Sequence, residues 1–184
     1  MIEFQDIKLE DQVSEKDFQN GWTEITQTRF EMYLFECKIK IRKHTRSAQY
    51  FDKRNAMLSV PTVILSALVA AFSTVNIDVS ASQAVSYIAA VLAILSTVAD
   101  MLFAALALGK RSENHRQCIH AYSNLYRKIE EQLFLPIDKR DTVEANFTLF
   151  TKTFSDISAI EPLIPSHIDI EVMSKIEKFN QDNT

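Results

Sequence analysis

Asp100 closes a run of 21 residues, 79–99, that carries no other charge. A carboxylate in such company has few uses. Inside a bilayer it must face protein or water, and several copies brought together would form an acidic ring, which favours cations. If the bilayer edge instead falls near Ala104, the same group sits among the headgroups, paired with Lys53 or Arg54 of the neighbouring helix. Small or hydroxyl residues share its face at helical spacing: Ser86, Ala90, Ala93, Thr97, Ala104 and Ala107 follow one another at steps of three and four. Upstream, Ser59, Thr62, Ser66, Ala70 and Ser73 keep nearly the same rhythm. Lipid supplies no hydrophobic force between helices, so small and hydroxyl faces are where they approach and exchange hydrogen bonds. The two stripes therefore either close one hairpin on itself or join copies around Asp100.

Elsewhere the chemistry is thin. His115 and Cys118 fall on one helical face, but His120 points away and no fourth ligand is in view, so no metal site is expected. The basic residues Lys38, Lys40, Arg42, Lys43, Arg46, Lys53 and Arg54, with Lys110 and Arg111 further on, have the density of a nucleic-acid surface. Beside apolar runs of this length they are better read as flanks that answer anionic headgroups and set topology, and no nucleic-acid partner is expected. Two glycines, Gly21 and Gly109, leave no loop to cradle a phosphate. No nucleophile, base and orienter meet in a motif, so neither an enzyme nor a bound cofactor is expected. Two cysteines, Cys37 and Cys118, both on the basic side, do not make a disulfide framework.

The elements that must position Asp100 are two apolar runs, 57–77 and 85–108, joined by a polar hairpin around 76–83. From 55 to 77 there are 23 residues without a charge, and each run is long enough to cross a hydrocarbon core about 30 Å thick as a helix. The Leu, Ile, Phe and Val of the first run favour insertion by about 3 to 6 kcal/mol in total, and those of the second by slightly more, so the second can carry one acid costing about 2.5 to 3.5 kcal/mol. The alternative is a soluble protein with both helices buried on all sides. A chain of 184 residues has too little other apolar surface to wrap them.

Charge sets the orientation. Residues 38–54 hold seven Lys or Arg, residues 110–128 hold five and the hairpin holds none, which places both termini in the cytosol. The net charge of −4 conceals this division. The N-terminus is acidic and lacks the apolar core of a cleaved signal, so the first span must serve as its own insertion signal.

The expected fold is all-α: a two-span transmembrane hairpin with long cytosolic helices before and after it. Residues 1–20 form an acidic segment with a loop or short strand, and Ser14 with Asp17 resembles a helix cap. Residues 21–56 form a helix running to the bilayer, with Trp22, Ile25, Tyr33, Cys37, Ile41, His44, Ala48 and Phe51 recurring at helical spacing, and Pro61 either opens the membrane helix or kinks one continuous rod. After the hairpin at 57–108, the second span emerges as a cytosolic helix over 109–135, with a bend at Gly109. Over 136–184, Val143, Phe147, Phe150, Phe154 and Ile157 make one amphipathic stripe that ends at Pro162 and Pro165. Ser166 and Asp169 then open a last helix bearing Val172, Met173, Ile176 and Phe179. These stripes need partners, in a bundle and between subunits.

The layout resembles the SLATT family of two-transmembrane effector domains found beside nucleotide-second-messenger systems, with related forms in large DNA viruses. The resemblance rests on PTVILSALVAAFS at 61–73, AVLAILSTVADML at 90–102 and HRQCIHAYSNLYRKIEEQL at 115–133, and covers roughly residues 20–135. It implies a helical cytosolic region, assembly into homo-oligomers, and a pore-forming or membrane-disrupting role triggered by a separate sensor protein, since no sensor domain is attached here. It supplies no catalytic residues. The expected function is thus an oligomeric pore or channel-like effector in the lipid bilayer. The alternative is a non-conducting scaffold protein of an organelle or virion membrane.

Overall fold

The computed structural model describes residues 19–74 and 79–182, with side chains over 20–71 and 85–177. The acidic segment with Ser14 and Asp17, the hairpin tip at 76–78, and the side chains of Ser73 and Phe179 lie outside the described residues. Among the described residues there is no strand. The chain forms α1 (Glu24–Thr74), α2 (Val79–Leu106), α3 (Leu108–Phe134), α4 (Val143–Ala159) and α5 (Ser166–Asp182), with 3-10 turns at Gln19–Gly21 and Ile137–Lys139.

Helix α1 is a single rod of 51 residues, about 76 Å long at 1.5 Å per residue. Thr23 and Thr26 start it reciprocally: Thr26 donates its backbone N–H to Thr23 Oγ1 (3.2 Å), and Thr23 donates its own to Thr26 Oγ1 (2.8 Å). This is a capping box with a hydroxyl where a carboxyl is usual. Pro61 lies inside the rod and does not start a new helix. Pro61 cannot donate to the Met57 carbonyl, while on either side of it Ser59 and Thr62 donate to the carbonyls of Ala56 (3.3 Å) and Leu58 (2.9 Å).

Helices α2 and α3 return along α1, α2 in the apolar half and α3 in the polar half. The joint between them is not at Gly109. It is Ala107, whose φ of 45° and ψ of 38° place an alanine in the left-handed region. Gly109 is helical, and a Cβ there would meet the Asn55 amide at an ordinary 3.7 Å, so nothing about that position demands glycine.

The expectation that the spans need lipid follows from what covers them. Both helices are long and apolar enough to cross a membrane, and almost nothing of either apolar stretch is buried by the rest of the chain. Met57, Val63, Ile94 and Met101 are exposed by 66%, 67%, 64% and 66%. A soluble core helix would have these side chains inside, so the soluble alternative fails on this observation.

The core lies at the other end. Trp22, Phe30, Cys37, Tyr122, Leu125, Ile129 and Phe150 pack α1, α3 and α4 into an extramembrane bundle. Both cysteines are buried and free. The α4 stripe serves this core through Phe150 and Ile157, while Phe147 stays 37% exposed. The far end is tied by Arg140: its guanidinium lies 4.8 Å over the Trp22 ring and donates to the last carbonyls of the α3 turn, Leu133 (2.7 Å) and Leu135 (2.8 Å). Trp22 Nε1 in turn donates to the Asp141 carbonyl (2.8 Å).

Candidate functional site

In the hairpin, α1 turns Ser59, Thr62, Leu65 and Val69 toward α2. The Oγ atoms of Ser66 and Ser96 lie 3.1 Å apart and bridge the two helices. The face of α2 that meets α1 is not the one containing Asp100. The residues covered are Val85, Ala89, Leu92, Ser96, Ala99 and Phe103, one position before Ser86, Ala90, Ala93, Thr97, Asp100 and Ala104. Ser86, Ala90, Thr97, Asp100 and Ala104 stand on the neighbouring exposed face, and Ala93 is half-covered between the two. Of the expected α1 stripe, Ser59 and Thr62 are partly covered and Ser66 bonds Ser96, while Ala70 is exposed and Leu65 and Val69 share the covered face. The chain breaks helical phase at Ala107, and beyond it Leu108, Ser112 and His115 are the buried residues of α3.

Asp100 forms no ion pair among the described residues. Arg54, offered as its partner at the bilayer edge, instead covers the Tyr50 ring at 4.5 Å, and Lys53 is exposed. The antiparallel register set by Ser66 and Ser96 brings Asp100 level with Thr62, about 10 Å along α1 past Asn55, the first uncharged residue. Thr97 bonds its own Ala93 carbonyl (2.9 Å).

The neck below the spans is polar. Arg116 donates to Asp52 (2.7 Å) and Ser112 Oγ to the Ala48 carbonyl (3.3 Å). Ser112 and Arg116 together hold the Asp52 carboxyl below the usual range.

Deeper in the bundle lies a cluster of buried ionisable groups. His44 and His115 face each other with their Nδ1 atoms 2.8 Å apart. His44 Nε2 is 3.1 Å from Glu161 Oε1. Lys40 Nζ reaches both oxygens of Glu161, at 3.0 and 2.7 Å, and Tyr122 donates its hydroxyl to Oε2 at 3.1 Å. Burial, then the neighbouring His44 charge, push His115 down to about 4. Burial alone would raise Glu161, but hydrogen bonds from His44 and Lys40 and their charges take it down to about 2. Tyr122 and Cys118 are pushed up, chiefly by burial, and Cys37 likewise to about 12. Such thiols are poor nucleophiles at neutral pH. Among the described residues no three potential ligands converge on one point, so the pair of imidazoles is a hydrogen-bonded contact.

This accounts for part of the basic cluster. Lys40 is in the bundle, bonded to Glu161, and Lys43 pairs with Asp169 of α5. Neither is free to meet headgroups, because α5 and the loop after α4 fold back over that stretch of α1. Lys38, Arg42, Arg46, Lys110 and Arg111 remain exposed.

A family model described as SMODS and SLOG-associating 2TM effector domain family 5 matches residues 37–160, about two thirds of the chain. The chain belongs to this SLATT family. No curated protein and no solved structure matches it. It is accordingly a two-span membrane protein of an effector family, with both flanks of the hairpin on one side. The match runs from Cys37 through both spans and α3 and ends just before Glu161, so the SLATT region holds both imidazoles but not the carboxylate that closes their network. Helical spacing placed His44 on an apolar stripe and His115 on one face with Cys118, and all three are buried. It had no signal for Glu161, which sits in a loop between Ile160 and Pro162.

Proposed function

We propose that this SLATT protein is an oligomeric pore-forming effector, inserted with its basic flanks in the cytosol and acting without catalysis or cofactor. The observation that carries this is the outward face of α2, where Asp100 stands with Thr97, Ala90 and Ser86 on a surface that one chain leaves uncovered. An acid on a lipid-facing surface costs about 2.5 to 3.5 kcal/mol per copy, and association of several copies around that face removes the cost while creating a hydrated acidic path. Small residues there allow close approach.

The test is reconstitution into liposomes with conductance and stoichiometry measured together. Cation conductance that falls at least tenfold in Asp100→Asn, from a closed ring of copies, is the expected result. Conductance unchanged by that substitution rejects the acidic path. A purified assembly that forms an open lattice, or keeps lipid between hairpins and conducts nothing, would instead make the chain a membrane scaffold.

A further inference from the structure

We propose that the extramembrane bundles of neighbouring copies join head to tail, the outer face of α1 around Met32 and Phe35 seated on the outer face of α4 around Leu149 and Ile160 of the next copy. On α1, Ile25, Thr28, Met32, Phe35 and Ile39 recur at steps of three and four, the spacing of a seam between helices. That seam turns away from the buried face of Trp22, Phe30 and Cys37. Ile25, Met32 and Phe35 are each about half exposed, in a stretch that lies outside the spans. On α4, Leu149 is likewise half exposed, and Ile160 at the C-terminal cap is more so. Apolar faces left open in this way mark contacts with a partner.

Height and charge choose the occupant. Gly21 lies against Val143, Phe30 against Phe150 and Lys40 against Glu161, so α1 and α4 run side by side in one direction. Each α1 residue therefore stands level with the residue about 120 further along the chain. Copies inserted in one bilayer with the same orientation stand parallel and at one height, so contacts between their bundles join residues of equal level. Were α1 to meet α1 of a second copy around a two-fold axis, Glu31 would face Glu31 and Lys38 would face Lys38, like charges both times. Seating α1 on α4 brings opposite charges together instead. Glu31 comes level with Lys152, and Lys38 falls within one helical turn of Asp156; all four side chains are exposed. The apolar residues agree in height as well, with Leu149 between Ile25 and Met32 and Ile160 beside Ile39. A contact between two different faces repeats from copy to copy and closes into a ring where the rotation allows. The interface stands on height and charge alone; its place in a pore rests on the reading above.

The full-length protein, in liposomes and under mild oxidation, reads this interface through added cysteines, and the parent serves as the blank because Cys37 and Cys118 are buried. Mixing Glu31→Cys copies with Lys152→Cys copies should give a covalent dimer about fivefold or more above either variant alone, and both substitutions in one chain should give a ladder of linked species. Dimers as abundant in Glu31→Cys alone mean self-pairing and overturn the proposal. A Phe35→Cys that links to Leu9→Cys within one chain, without change of mass, gives the seam to the chain's own first residues and overturns it too. In detergent, Lys152→Glu should lower the assembled fraction about threefold or more, and adding Glu31→Lys should restore at least half of the loss. An assembled fraction that neither variant moves counts against the interface. No linked product in any mixture, from protein whose Trp22 emission matches the parent, leaves the seam to a different protein and overturns the proposal. Linked species that conduct nothing keep the interface and remove the pore, whereas conductance without 31–152 linkage does the reverse.

Discussion

His44 and His115 share one hydrogen bond between two Nδ1 atoms 2.8 Å apart, with both side chains closed off from solvent. Only one proton fits between them. Which ring donates depends on the tautomer; His44 Nε2 lies 3.1 Å from Glu161 Oε1, and Lys40 balances the carboxylate. The cluster joins α1, α3 and the loop after α4, so whatever adds or removes charge there acts on the whole bundle.

Stability should therefore fall on acidification in two stages. The unfolded chain takes up a proton on residue 115 near pH 6.5, whereas the folded chain resists until about 4. Between those values the unfolded state holds more protons, so stability drops as the pH is lowered from 6.5 toward 4, by on the order of 3 kcal/mol, and is flat above. Glu161, held down to about 2 from an ordinary 4.5, adds a second loss between those values. Urea unfolding of the detergent-solubilised protein, followed by Trp22 emission at stepped pH, measures both stages. His115→Phe should abolish the first and leave the second. A midpoint that does not move between pH 7 and pH 4.5 refutes the account.

Glu161→Gln keeps the shape of the cluster and removes its only carboxylate. Lys40 and the imidazoles then lose their counter-charge in a buried place, and breaking such a pair costs about 3 kcal/mol or more. Glu161 also draws a proton toward His115, so in this variant His115 should titrate lower still and the first acid stage should broaden. A stability within about 0.5 kcal/mol of the parent, the range of ordinary surface changes, would mean that the ion pair is solvated.

Arg140 serves the far end of the bundle twice, lying over Trp22 and donating to the carbonyls at the end of α3. Arg140→Ala should destabilise the bundle by about 2 kcal/mol or more through the unpaired carbonyls and shift Trp22 emission to longer wavelength. Arg140→Lys should recover only part, because an ammonium lacks the planar fork that reaches both carbonyls and covers the ring. Equal behaviour of the two variants would argue against a geometric role for the guanidinium.

What sequence made legible here divides at the membrane. Spans of uncharged residues identify themselves by length and composition, and their flanking charges by sign, which is why the hairpin and all five helices could be placed. Periodicity also located the α4 and α5 stripes, since Phe150, Ile157 and Val172 do point inward. Rotation about a helix axis was not legible. Small residues occupy two adjacent faces of α2, so counting them picked the face with Asp100, while the covered face lies one position earlier and no residue type announced it. The polar cluster was half legible: an imidazole on an apolar stripe signals burial, but a partner 117 residues away in sequence, as Glu161 is from His44, leaves no local trace.

Lys38 and Lys40 give the sharpest separation of these two kinds of information. Both belong to the basic cluster that flanks the first span, two residues apart and of one type, yet Lys38 is exposed and Lys40 bonds a partly buried carboxylate. Lys38→Met should leave unfolding of the bundle within about 0.5 kcal/mol of the parent, as surface changes do, whereas Lys40→Met leaves Glu161 without its main counter-charge and should cost about 2 to 3 kcal/mol. The loss in Lys40→Met should shrink as pH falls below 4.5, where the unfolded chain's carboxylates are already protonated and the ion pair contributes less. Denaturant midpoints for both variants at pH 7 and pH 4 test this, with the parent protein alongside. If the two substitutions cost the same at pH 7, residue 40 is acting as one more surface charge and the buried network does not hold the bundle together.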